Sequence, residues 1–227
     1  MFDNQAARKR FSRRGRTAGA VVSAGAVVSA GAALITIFTG THPAAAATLS
    51  ATSAAPGLGS GNLMQSEDFF QQGLAPVGAT VDLSGNQALS ACSGEETMRT
   101  LTKGKAAAYA DVTWAFDTKD TSLTESVVDG STGTAAASYE EKLNKLVRSC
   151  QDEPAGHWYY GKAHTITLKA GEGTWYPAFN GDGKVAGGAA VIRSGHRVGI
   201  VGLSGQPSDD SGYMKGITAA AVNRLAD

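Results

Sequence analysis

Residues 184–205, KVAGGAAVIRSGHRVGIVGLSG, decide the fold class. Two nearly continuous apolar runs, GGAAVIR and RVGIVGL, are joined at the short polar stretch Ser194-Gly195-His196. A strand with one face in water alternates apolar and polar side chains, whereas a strand apolar at every position is covered on both faces. The joint has hairpin length. These residues therefore predict two central, neighbouring antiparallel strands.

Upstream, Asn180-Gly181-Asp182-Gly183 is a hairpin turn signal fed by the strand TWYPAFN, which itself follows a Gly171-Glu172-Gly173 turn. HWYYGKAHTITLKA (157–170) alternates, with His164, Ile166 and Leu168 on one face. Downstream, Met214, Ile217, Ala221 and Leu225 share one face of a terminal helix. Earlier in the chain, Ala136, Tyr139, Leu143, Leu146 and Cys150 fall at three- and four-residue intervals, the stripe of a helix over 131–150. AYADVTWAFD (108–117) alternates Val112, Trp114 and Phe116 against Tyr109, Asp111 and Thr113, and SLTESVVD (122–129) returns beside it. A short helix is predicted near 63–70, then a Gly/Pro/Asn-rich excursion to Ser90. Ser93 and Glu96 have the spacing of a capping box. The fold expected is α+β: a twisted antiparallel sheet of about six strands with helices packed on it, and one disulfide.

The N-terminus has a different character. Arg8, Lys9, Arg10, Arg13, Arg14 and Arg16 precede an uncharged run over 17–38, and small residues at Ala45 and Ala47 follow. That is an export signal, with cleavage after Ala47. Retention of the same stretch as a membrane anchor is the alternative, since its length could just span a bilayer core. Residues 48–60 read as a disordered linker and 61–227 as one domain. Without its first 47 residues the chain holds 14 Lys/Arg against 19 Asp/Glu, a net of −5. That charge gives no footprint for nucleic acid or for an anionic membrane surface.

Export fixes the reading of the two cysteines, Cys92 and Cys150. Thiols outside the cytosol are oxidised, the pair is too far apart for a redox motif, and no zinc-ligand spacing surrounds it. A structural disulfide is expected, with Cys150 on the inward face of its helix.

The order LMQSEDF, LSAC opening a helix, a Trp-bearing strand pair, AAASYEEKLNKLVRSC, AAVIRSGHRVGIVGL and a terminal helix resembles a family. It is that of the actinobacterial sensor-domain proteins similar to the extracellular domain of the mycobacterial serine/threonine protein kinase H. The resemblance covers roughly 61–225. It implies an extracytoplasmic sensor domain with a curved sheet, a cleft and an unidentified ligand, without catalysis, and it carries the cysteine pair over to Cys92 and Cys150. The second disulfide expected in that kinase domain has no cysteines here, and with no kinase domain in this sequence a signal would pass to another protein.

No catalytic motif stands out. Gly-x-Ser-x-Gly and His-Glu-x-x-His are absent, and Asn180 with Asp182 lacks the glutamate that a calcium loop needs. No cofactor and no metal site is expected. The candidate ligand-binding set is Trp158, Tyr160, Trp175, Tyr176 and His164, because rings on both strand faces exceed what one core needs and could stack on a sugar or other flat ligand. Capping of the sheet's core and edge is the competing use of those rings. Three functions are open. The first is a non-catalytic exported binding domain at the cell envelope, for an unknown small-molecule or glycan ligand. The second is a secreted envelope hydrolase using His164, and the third a structural component that docks an envelope protein.

Overall fold

The computed structural model describes residues 57–227 apart from 90–95, 119 and 206–207. The expected signal segment, most of the linker, Cys92 and Ser93 lie outside the described residues. No helix among the described residues is long and apolar enough to cross a membrane.

The chain runs through a 3-10 turn (Ser60–Asn62), α1 (Ser66–Phe70), β1 (Pro76–Asp82), α2 (Met98–Leu101), β2 (Ala108–Phe116), β3 (Ser122–Asp129) and α3 (Gly133–Arg148). It continues through β4 (Tyr159–Tyr160), β5 (His164–Leu168), β6 (Gly171–Phe179), β7 (Val185–Ser194), β8 (Arg197–Ser204) and α4 (Tyr213–Ala226). All strands join one antiparallel sheet of eight, in the order β1-β2-β3-β8-β7-β6-β4, with β5 also pairing β6. Two meanders, β1-β2-β3 and β6-β7-β8, therefore meet where β3 pairs β8. The central pair predicted from 184–205 is β7 and β8, and it lies inside the sheet as expected.

Strand alternation supplies both faces of this centre. Ala190, Ile192, Val201 and Leu203 join α4 in one buried cluster; Ala189, Val191, Val198 and Ile200 join α3 in the other. One helix thus covers each face, and the buried positions 187–192 and 198–203 each have a reason to be apolar. Close approach needs missing side chains: a Cβ on Gly188 would stand 2.7 Å from Met214 Cγ, and one on Gly173 would stand 2.6 Å from Thr218 Cγ2. The α4 cluster extends under β2 and β3, where Phe69 of α1 meets Trp114 and Phe116 edge-on, each at 5.1 Å between centroids. Leu58, inside the stretch read as linker, is buried in the same cluster.

The strand count is eight rather than about six. The excursion before Ser90 contains β1, whose residues are exposed at all positions but the first. Val77, Val81 and Leu83 stand in solvent, so burial leaves no signature there. The stretch 157–170 forms two separate strands, β4 and β5, along one edge of β6: Tyr160 pairs Ala178 and His164 pairs Trp175, and Gly161, Lys162 and Ala163 interrupt the ladder between them, the Gly161 N–H donating to the Pro177 carbonyl at 2.7 Å. The capping box is also displaced. Thr97 and Thr100 exchange the reciprocal bonds, Thr100 N–H donating to Thr97 Oγ1 at 3.1 Å and Thr97 N–H to Thr100 Oγ1 at 2.9 Å. Glu96 precedes the helix and accepts from the Thr100 hydroxyl at 2.7 Å. Thr97 wins as cap because Met98 and Leu101 then both turn into the core.

Candidate functional site

The sheet separates the aromatic set. In β6, Trp175 and Tyr176 are neighbours and point to opposite faces. Tyr160 and Tyr176 are buried on the α3 face, 6.5 Å apart, with Trp158 packed against Tyr160 at 4.6 Å. Trp175 is buried on the α4 face, and His164 of β5 stacks flat on it at 4.2 Å. Burial raises the Tyr160 and Tyr176 hydroxyls above the ordinary phenol range. The Tyr176 hydroxyl donates to Asn144 of α3 at 3.0 Å. Of the five residues, Trp158 and His164 are exposed and the other three are core. No one surface presents all five.

The histidines are likewise placed by packing. His164 has no hydrogen-bonded partner among the described residues, only its Trp175 face. His196, in the β7–β8 turn, bonds through Nδ1 to Asp129 at 2.7 Å, while the same carboxylate accepts the Ser131 N–H at 2.7 Å. That contact closes the β7–β8 turn onto the start of α3. No cluster of metal-ligating side chains occurs among the described residues.

What the packing creates instead is a groove between α2 and α3 of about 430 Å³. Leu101 from α2 and Leu146 from α3 form its apolar lining, with Thr100 and Ser149 at their sides. Lys103, Lys142 and Lys145 stand around it, against one carboxylate among the described residues, Glu96. Lys142 is held in place: its Nζ donates to the Leu101 carbonyl at 3.2 Å and lies 5.3 Å from the Tyr139 ring centroid. Lys103 follows α2 with φ 55, a left-handed conformation that ends the helix sharply. None of the three lysines is in an ion pair among the described residues, whereas Arg193 and Arg224 each serve two carboxylates. A site of this size and character suits a small molecule.

No family model matches the sequence, and no curated protein matches it. Among solved structures, the extracellular domain of PknH from Mycobacterium tuberculosis is similar to this chain. It is 15% identical at a TM-score of 0.48, over 72% of this chain and 92% of that one.

Two carboxyls lie buried in the β2–β3 pair. Glu125 has no exposed surface; its Oε2 accepts the Met64 N–H at 2.7 Å and its Oε1 meets no partner among the described residues. Burial pushes it up to about 8, only partly opposed by the Met64 amide, so the group is predominantly protonated at neutral pH. Asp111, on the opposite face, is also raised by burial, although the Ser126 hydroxyl and the Gly85 and Gln87 amides face it and pull the other way. Sequence reading passed over Glu125. Its signal was present: Glu125 alternates with Leu123 and Val127, so strand geometry places it in an apolar row.

Proposed function

We propose that this chain is exported and that residues 57–227 act as a non-catalytic binding domain of the cell envelope whose ligand enters the α2–α3 groove. The observation that supports this best is the groove's make-up, an apolar lining ringed by three lysines that form no ion pair among the described residues. Export is supported by the basic start, the uncharged run over 17–38 and the small residues at Ala45 and Ala47.

The Cys92–Cys150 disulfide belongs to the same proposal. Cys150 is fully buried just beyond α3. Leu89 shares its buried cluster, and the Leu89 N–H donates to the Glu96 carbonyl at 2.9 Å, which brings the two ends of segment 90–95 together. Glu96 and Ser149 line one groove, so the flanking residues Leu89 and Glu96 lie beside the end of α3.

The hydrolase alternative rests on His164, which has an aromatic face beside it but no orienting hydrogen bond among the described residues. Mapping of amide chemical shifts with a small-fragment library tests the binding reading. The expected result is hits that shift Thr100, Lys103, Lys145 and Ser149 and survive Trp158→Ala. Hits confined to the surroundings of Trp158 or His164 would move the site to the aromatic set.

A further inference from the structure

We propose that the α2–α3 groove takes a single anionic amphiphile, a molecule with a carboxylate or phosphate headgroup on an apolar chain. This rests on the binding reading above and names its ligand class. Outside the leader the chain is net −5, so cations are the minority charge. Three of them nevertheless meet around one depression where, among the described residues, Glu96 supplies the one carboxylate, itself engaged by the Thr100 hydroxyl.

Lysines on a solvated face need no explanation, but these border apolar surface from Leu101 and Leu146. Lys142 and Lys145 project one turn apart along α3, and Lys103 approaches from the end of α2. A headgroup among three ammonium groups would gain charge-assisted hydrogen bonds, while its chain would cover the two leucines. A bare inorganic anion would leave the apolar lining wet. A neutral apolar ligand would leave the cations without counter-charge. The volume of about 430 Å³ is that of a one-molecule site. The acidic remainder of the domain disfavours adhesion to an anionic bilayer, so the occupant is a monomer and not a membrane surface.

The test is a titration of the isotope-labelled exported protein, without its leader, followed through its amide signals. The probes are decyl phosphate below its critical micelle concentration, decyltrimethylammonium, decyl maltoside, inorganic phosphate and phosphatidylglycerol vesicles. Decyl phosphate is expected to shift Lys103, Lys145 and Leu146, and to bind more weakly as salt is added. Lys145→Glu should weaken it by about tenfold. Lys103→Glu should do the same, and both side chains are exposed, so each variant stays folded. Equal affinity for the cationic or neutral amphiphile, equally tight inorganic phosphate, or a response to vesicles alone would overturn the ligand class while leaving the groove as the site. Silence of the groove towards all five probes would remove the site along with its ligand.

Discussion

Glu125 is a carboxyl placed where only the neutral form is at ease. It has no exposed surface, one amide donor and the Asp68 carboxylate as a like-charged neighbour; Arg224 acts in the opposite sense. Its pKa rises on folding from the ordinary 4.5 to about 8. Between those values the folded state holds a proton that the unfolded chain has released, so stability falls as pH rises through that window. Below it the contribution is fully favourable, and above it the loss is complete. Glu125→Gln keeps the shape and the acceptor for Met64 and cannot ionise. At pH 9 this variant should be more stable than the native protein by ~2–4 kcal/mol, and the gap should close towards pH 5. Denaturant midpoints across that range measure it; parallel pH profiles for the two proteins would contradict the burial. Asp111 shifts in the same direction and adds a contribution of the same sign.

At the scale of elements, one guanidinium adds to the buried Leu63, Met64 and Phe69 in holding the N-terminal turn over Glu125. Arg224 near the end of α4 donates from Nε to Asp68 at 2.9 Å and from its Nη2 to Glu67 at 2.5 Å, tying α1 to the last turn of α4. Arg224→Ala should leave the sheet intact and speed exchange of the Met64 amide by roughly tenfold, since only a local opening becomes easier. Amide exchange read residue by residue checks this, and unchanged protection at Met64 would contradict it. The packing of α4 offers a harsher variant. Gly173→Val would drive side-chain atoms into Thr218 and cost ~2–3 kcal/mol by overpacking, as a melting curve would report.

The same elements explain what the sequence could and could not reveal. β7 and β8 were legible because burial on both faces leaves an unbroken apolar run. α3 was legible because Ala136, Tyr139, Leu143 and Cys150 are buried at helical spacing, although Val147 takes the inward place read for Leu146, which is half-buried. β1 was not, since it is a strand through pairing with β2 and takes almost no part in the core. Trp175 and Tyr176 showed rings on both faces of β6, but which face each helix would cover depends on tertiary packing. The groove was illegible for the same reason. Thr100, Leu101 and Lys103 become neighbours of Lys142, Lys145 and Leu146 only when α2 packs beside α3, and each lysine alone looks like ordinary solvated surface.

For the molecule as a whole, the proposed tie between Cys92 and Cys150 would unite compartment, stability and site. A crosslink between these positions restricts the unfolded chain by the entropy of a long loop, worth ~4 kcal/mol in the simplest chain model. It would act just beyond the end of α3, the helix that carries Lys145 and Leu146 into the groove, and beside Glu96 on the groove's other wall. Loosening it should therefore lower both global stability and the groove's affinity. Protein collected from the exterior is expected to gain the mass of two hydrogens on reduction after unfolding. Dithiothreitol should then lower its denaturation midpoint while leaving that of Cys92→Ala unmoved. A native protein indifferent to dithiothreitol would mean that the two sulfurs are not joined. The groove would then be held by side-chain packing and the Lys142–Leu101 hydrogen bond alone.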